Sequence, residues 1–192
     1  MPPKAKFTKE QIIEAALNIV REEGVQNLTA RALGKKLGSS ACPIFTVFEN
    51  MEEVQAEMIK EARKLYTKYI EKGLEFEPAF KGTGMQYIIF AKNEPQLFQL
   101  LFMSEHLILD VNRYFPTIDE NYDVILASVK DYYSLTNDEA KYIYTHMGLY
   151  SHGIATLYAR KVCMFSLNDV SRMLTEVFSS LLRDIKGDTR ND

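Results

Sequence analysis

A chain of 192 residues that is 46% hydrophobic can bury one good core, or a small domain beside a larger one. Its net charge is −3, no stretch approaches the roughly 20 apolar residues of a membrane span, and no signal-peptide pattern opens it. Two cysteines, Cys42 and Cys163, lie far apart without CxxC or Cys/His ligand spacing, which points to a reducing cytoplasm and away from a zinc site.

The first predicted helix starts at a capping box, Thr8 to Gln11, in which each side chain satisfies an orphan amide of the other. Ile12, Ile13, Ala16, Leu17 and Val20 then recur at helical spacing, and Gly24 stops the helix. A basic tail with Lys4 and Lys6 precedes it. Thr29 is a good N-cap for a second short helix, where Leu33 and Leu37 share a face and Gly38 can end it in a left-handed residue. Ser40 is placed to cap a third helix over residues 41–47, which offers Ile44, Phe45 and Phe48 to a core. A supporting helix, a sharp turn and a short second helix make the layout of a helix-turn-helix.

These residues carry a resemblance. The run FTKEQIIEAALNIVREEG, then LTARALGKKLG, then FENMEEV, resembles the N-terminal domain of the TetR/AcrR transcriptional repressors over about residues 7–60. The resemblance implies an all-α bacterial, cytoplasmic homodimer. It implies a three-helix DNA-binding head over residues 1–50 and a larger ligand-binding and dimerisation body over residues 51–192. It also implies double-stranded DNA with a two-fold symmetric operator and a small-molecule effector as partners, with no cofactor, no metal and no membrane. The DNA-facing candidates are Thr29, Arg31, Lys35, Lys36, Ser39, Ser40, Ala41, Cys42, Pro43, Phe45 and Thr46.

The chain departs from the family where phosphate is usually gripped. At the family's Leu-Tyr-x-(His/Tyr)-Phe segment it has Ile44, Phe45, Thr46, Val47 and Phe48, and Met51 stands where a lysine usually opens the fourth helix. Phosphate contacts supply most nucleic-acid affinity and its salt dependence, so the loss is large unless Lys4, Lys6, Arg31, Lys35, Lys36, Thr46 or helix-start amides compensate. The recognition segment has no Arg, Asn or Gln to read a base edge bidentately; Ala41, Cys42 and Pro43 can only touch thymine methyls or pack along the groove. The first fifty residues carry +2 and the rest −5, the asymmetry expected of a basic head on an acidic body.

Beyond residue 50 the chain reads as helices throughout. Asn50 with Glu53 predicts a cap launching a long helix through Val54, Met58, Leu65, Tyr69 and Leu74. Residues 76–83 predict a break, Met85 to Lys92 a short helix, and Pro95 the first turn of a helix from Gln96 to Met103. Residues 110–117, with Pro116, read as irregular, and Ile118 to Tyr133 as a helix weakened at Asn121 and Asp123. Thr136 and Glu139 are spaced as a capping box for a helix to about Val162; Leu167 to Lys186 is the last helix, ended by Gly187.

The last two helices predict the dimer. Gly148, Ser151, His152, Ala155 and Ala159 form a small-residue stripe that permits close approach of another helix. Val170, Met173, Leu174, Val177, Phe178, Leu181, Leu182 and Ile185 form an apolar face wider than one neighbour needs. Pairing with symmetry mates would make a four-helix interface. His152 to Leu157 also resembles the His-Gly segment of a subclass named for Trp-His-Gly, although this chain has no Trp.

The body is rich in large adaptable side chains. Phe90, Phe98, Phe102, Met103, Tyr122, Tyr144, Met147 and Tyr150 are the candidates to line a pocket for an apolar or aromatic effector; Tyr132 belongs to the same set of rings, and the alternative for each is ordinary core. His106, His146 and His152 lack the i, i+4 pairing of a helical metal site, which predicts buried, hydrogen-bonded roles. No GxSxG, HExxH, P-loop or dinucleotide fingerprint occurs, so an enzyme is not expected. Two functions stay open: a DNA-binding regulator, in the repressor sense the resemblance implies, and a ligand-binding or protein-interaction dimer with a degenerate head.

Overall fold

Capping and helical apolar spacing dictate a chain of helices, and the computed structural model, which describes residues 6–103 and 119–187, is all-α over those residues. Helix α1 spans Lys9–Glu23 and α2 Ala30–Lys36; α3 spans Met51–Leu74, α4 Ala79–Asn93 and α5 Pro95–Phe102. Then come α6 (Tyr122–Tyr133), α7 (Asn137–Ala159) and α8 (Leu167–Ile185). Lys4, His106, Pro116, Ile118 and the irregular stretch 110–117 lie outside the described residues. No helix of the described residues is long and apolar enough to cross a membrane.

Local chemistry accounts for most ends. The Thr8–Gln11 box closes in both directions and Gly24 ends α1 at φ +86°. Thr29 caps α2 by accepting from the Ala32 amide, and Gly38 is left-handed at φ +66°. At α3 the Asn50 side chain accepts from the Glu53 amide (2.8 Å), but the Glu53 carboxylate reaches back to the Glu49 amide (2.7 Å) rather than to Asn50. Thr136 with Glu139 and Ser166 with Asp169 are complete boxes; the second was not anticipated.

Four expectations need correction. The segment after Gly38 is not an α-helix capped by Ser40 but a 3-10 helix, Cys42–Thr46, with Ala41 at its N-cap and no side-chain cap. Pro43 removes an amide there, and the tighter winding suits so short a piece. The predicted break at 76–83 shrinks, because α4 begins at Ala79 and takes in Gly82 and Gly84. Helix α6 begins only at Tyr122, since Asp119 and Asn121 form a side-chain-bonded turn ahead of it. Helix α7 ends at Ala159, three residues early, where Lys161 turns left-handed at φ +56°.

The chain divides into two compact units. Residues 6–65 and 96–103 form the first and residues 66–95 and 119–187 the second, so α3 changes membership at Tyr66. In the first unit Ile12, Ala16, Val20, Leu33, Ile44, Phe48, Val54, Met58, Leu97 and Phe98 are buried. In the second, α4 packs against α6, α7 and α8. The buried row of α3 is Val54, Met58, Ala62, Tyr66 and Ile70, an i, i+4 ladder, so Leu65, Tyr69 and Leu74 lie at its flank.

Helix propensity alone would not start α4 across two glycines. A Cβ on Gly82 would lie 2.1 Å from the Gly73 carbonyl oxygen, and one on Gly73 2.7 Å from the Thr83 Cα. The ends of α3 and α4 therefore cross backbone to backbone. Gly82→Ala is expected to lower stability by roughly 2 kcal/mol, an overpacking cost that exceeds the gain in helix propensity. Urea midpoints of the two proteins check this, and an unchanged midpoint would count against the crossing.

Candidate functional site

In the first unit, the turn that presents the 3-10 segment is held by close packing. A Cβ on Gly34 would sit 2.8 Å from the Ser40 carbonyl carbon and 2.9 Å from the Ala41 nitrogen, so α2 can touch the turn only through glycine. The Ser39 amide donates to the Gly34 carbonyl (2.9 Å), and the Lys6 ammonium donates to Ser39 Oγ (3.0 Å). Threefold winding gives the segment three edges. Ile44 is fully buried between half-buried Ala41 and Val47, while Cys42 and Phe45 share an exposed edge, Phe45 at 44% exposure. On the third edge the Thr46 hydroxyl donates to the Pro43 carbonyl (2.7 Å).

The cations around this surface are unequal. Lys36 is clamped by both carboxylate oxygens of Glu22, at 2.8 and 2.7 Å. Lys9 pairs with Glu57 (3.0 Å) and lies over the Phe48 ring, 5.6 Å from its centre. Lys60, and then Lys9, hold the Glu57 carboxyl down at about 2. Arg31 and Lys35 are exposed and form no ion pair among the described residues. Of the DNA-facing candidates, Thr29, Ser40, Cys42, Phe45 and Thr46 are also exposed, while Ser39, Ala41 and Pro43 are half-buried. The Thr29 oxygen accepts the Ala32 amide (3.1 Å), which leaves its proton for an outside acceptor.

The effector candidates divide between the units. Phe98, Phe102 and Met103 belong to the first, where the two phenyl rings lie 5.3 Å apart, both buried, and Met103 is exposed. Phe90, Tyr122, Tyr144, Met147 and Tyr150 belong to the second. There Tyr122 stacks edge-on against Tyr144 (4.8 Å), and Phe90 packs on Tyr66 (5.4 Å) and Tyr69 (5.3 Å). Tyr132, by contrast, is exposed against Tyr133.

Within the second unit lies a buried group that sequence reading did not single out. Asp119 is 7% exposed and, among the described residues, accepts four hydrogen bonds. Tyr66 (2.9 Å) and Tyr144 (3.4 Å) donate to one carboxylate oxygen, and the Asn121 amide (2.9 Å) and side chain (3.3 Å) to the other. Burial pushes the Asp119 carboxyl up, partly opposed by those donors. Burial and then the neighbouring Asp119 charge push the Tyr66 and Tyr144 hydroxyls well above their ordinary value, so both stay protonated as donors. Nearby, the Tyr87 hydroxyl pairs with His152 Nδ1 (2.8 Å), and burial lowers the His152 imidazole. His146 instead is exposed, against the Tyr142 ring. The one signal for Asp119 was the Asp-x-Asn turn ahead of α6. Tyr66 and Tyr87 carried none beyond helical spacing.

The faces of α7 and α8 also differ from expectation. Ser151, Ala155 and Ala159 are buried within their own unit, and a Cβ on Gly84 of α4 would lie 3.7 Å from Ser151 Oγ. Part of the small-residue stripe thus packs within its own unit, with Ser151 against α4. The outward face of α7 is Tyr142, Leu149 and Leu157, with Gly153 opening onto empty space. On α8 only Val170 and Leu174 are buried, leaving Met173, Val177, Phe178, Leu181, Leu182 and Ile185 half-exposed.

Two solved structures are similar along nearly the whole chain. A TetR-like transcriptional regulator from Rhodococcus sp. RHA1 has a TM-score of 0.64 at 14% identity, over 97% of this chain and 100% of that one. The fatty acid degradation regulator FadR from Bacillus halodurans has a TM-score of 0.61 at 20% identity, over 93% and 97%. No protein-family model and no curated protein matches the sequence. The fold is TetR-like.

Proposed function

We propose that this TetR-like chain is a DNA-binding transcriptional regulator acting as a homodimer, with a repressor's response to a small apolar or aromatic effector. The observation that carries the reading is the Gly34–Ser40 contact, which packs the turn tightly on α2 and leaves Cys42, Phe45 and Thr46 of the 3-10 segment exposed. A helix-turn-helix needs a reading element held proud in this way. Exposed Arg31 and Lys35 on the supporting helix support it as phosphate contacts. Selection of bound fragments from genomic DNA tests the reading, with enrichment of a two-fold symmetric sequence as the expected result. If none is enriched even at low salt, the alternative takes its place: a ligand-binding or protein-interaction dimer whose head no longer reads DNA. The Glu22 clamp on Lys36 is the observation that favours that alternative.

The dimer rests on the outward faces of α7 and α8, where a monomer would leave Tyr142, Leu149, Leu157 and the α8 apolar face in water. Light scattering at micromolar concentration is expected to give twice the chain mass, and Leu149→Glu is expected to give a monomer. A monomeric parent protein would remove the dimer from this account.

The effector would bind among the rings of the second unit. The open groove along α8, lined by Lys81, Arg172, Glu176 and Arg183 among others, includes none of the candidate rings. A ligand that binds only the folded chain raises its melting temperature by mass action. A hydrophobic library is expected to yield compounds that do so, with the shift reduced by Tyr144→Ala. No shift from any compound would count heavily against an effector.

A further inference from the structure

We propose that the head discriminates DNA sequence through thymine methyl groups packed against Phe45 and Cys42. This rests on the DNA-binding reading above and deepens it. The outward edge of the 3-10 segment consists of an exposed thiol and a phenyl ring 44% exposed. Its neighbouring edge is Pro43, which has no amide, and Thr46, whose hydroxyl proton is committed to the Pro43 carbonyl at 2.7 Å. The N7 and O6 acceptors of guanine therefore meet no strong donor from this segment. Thr46 Oγ retains lone pairs, but adenine and cytosine both offer an amino group, so acceptance there separates neither. Ser40, exposed at the turn, can donate or accept and likewise discriminates little.

One major-groove feature matches an apolar edge: the C5 methyl of thymine. Winding of three residues per turn eclipses Cys42 and Phe45, so both present to the same base steps. Arg31 and Lys35 belong to α2, and the supporting helix of such a motif crosses the phosphate backbone.

The test uses the full-length chain and the sequence selected from a random duplex library. The selected duplex is remade with deoxyuridine in place of thymine, which deletes the methyl and keeps every hydrogen-bonding group. Affinity is expected to fall about fourfold for each contacted methyl, as for loss of one buried carbon, and so about sixteenfold for one methyl in each of two half-sites. Phe45→Ala should weaken binding to the thymine duplex and shrink the preference for thymine over deoxyuridine, with the salt slope unchanged. Circular dichroism checks that this exposed-site variant stays folded. Equal binding of the two duplexes by the parent protein would overturn the inference while leaving DNA binding intact. So would an Ala variant that kept the full preference for thymine. Failure to enrich any sequence would overturn both readings together.

Discussion

Asp119→Ala is expected to destabilise the second unit by roughly 4 kcal/mol, because two buried tyrosine hydroxyls lose their acceptor at roughly 1–3 kcal/mol each and the turn before α6 loses its anchor. In a chain of this size that corresponds to a fall in melting temperature of about 10 °C. Among the described residues, the donors to Asp119 come from α3, α7 and the turn, so one side chain ties three parts of the unit. Asp119→Asn should cost far less, since the tyrosine hydroxyls can rotate to accept from the amide nitrogen. Paired thermal melts decide the matter: equal loss in the two variants would mean that packing, not hydrogen bonding, explains the effect.

The same carboxyl gives a pH signature. Its folded-state pKa is raised above the ordinary 3.8, chiefly by burial. The folded chain therefore holds that proton more tightly than the unfolded chain. The associated stability is fully present below the unfolded value and is lost as pH rises through the folded one. The Asn variant carries no such penalty, so its stability relative to the parent should improve as pH rises from about 4 towards 7. A difference between their urea midpoints that stays flat over that range would remove the buried charge from the explanation.

Caps were the most legible part of this fold. Thr8, Thr29, Thr136, Gly24 and Gly38 act within a few residues of themselves, so their positions survive tertiary packing. What escaped the sequence needed contacts at long range. Gly82 and Gly84 read as helix breakers until the Gly73 carbonyl is seen against α4. The stripe at Ser151 and Ala155 promised a close neighbour, but spacing cannot say whether that neighbour is α4 or another chain. The site divides in the same way. The exposed edge of the recognition segment follows from its residue types, whereas Asp119, a lone acid among many, became notable only once Tyr66 from 53 positions away and Tyr144 from 25 positions away met it.

Met51→Lys is expected to strengthen binding to every duplex alike. The half-buried Met51 opens α3, where the resembling family usually places a lysine that grips phosphate. A restored contact in each subunit of a dimer should steepen the slope of log K against log salt by about 1.8, near 0.9 for each phosphate neutralised. Phosphates carry no base information, so the ratio of selected to random affinity should stay constant. Glu22→Gln acts on a restrained cation, Lys36. Lys36 reaches a phosphate only by leaving a carboxylate that holds it through both oxygens. An exposed pair of this kind is worth about 0–1 kcal/mol, so its release should gain up to about fivefold per subunit, with a steeper salt slope. The two gains should multiply in the double variant, because different phosphates are engaged. Titrations at several salt concentrations measure all of this. A Met51→Lys protein with unchanged slope would mean that the start of α3 does not approach the DNA backbone, and the head's orientation on DNA would have to be redrawn.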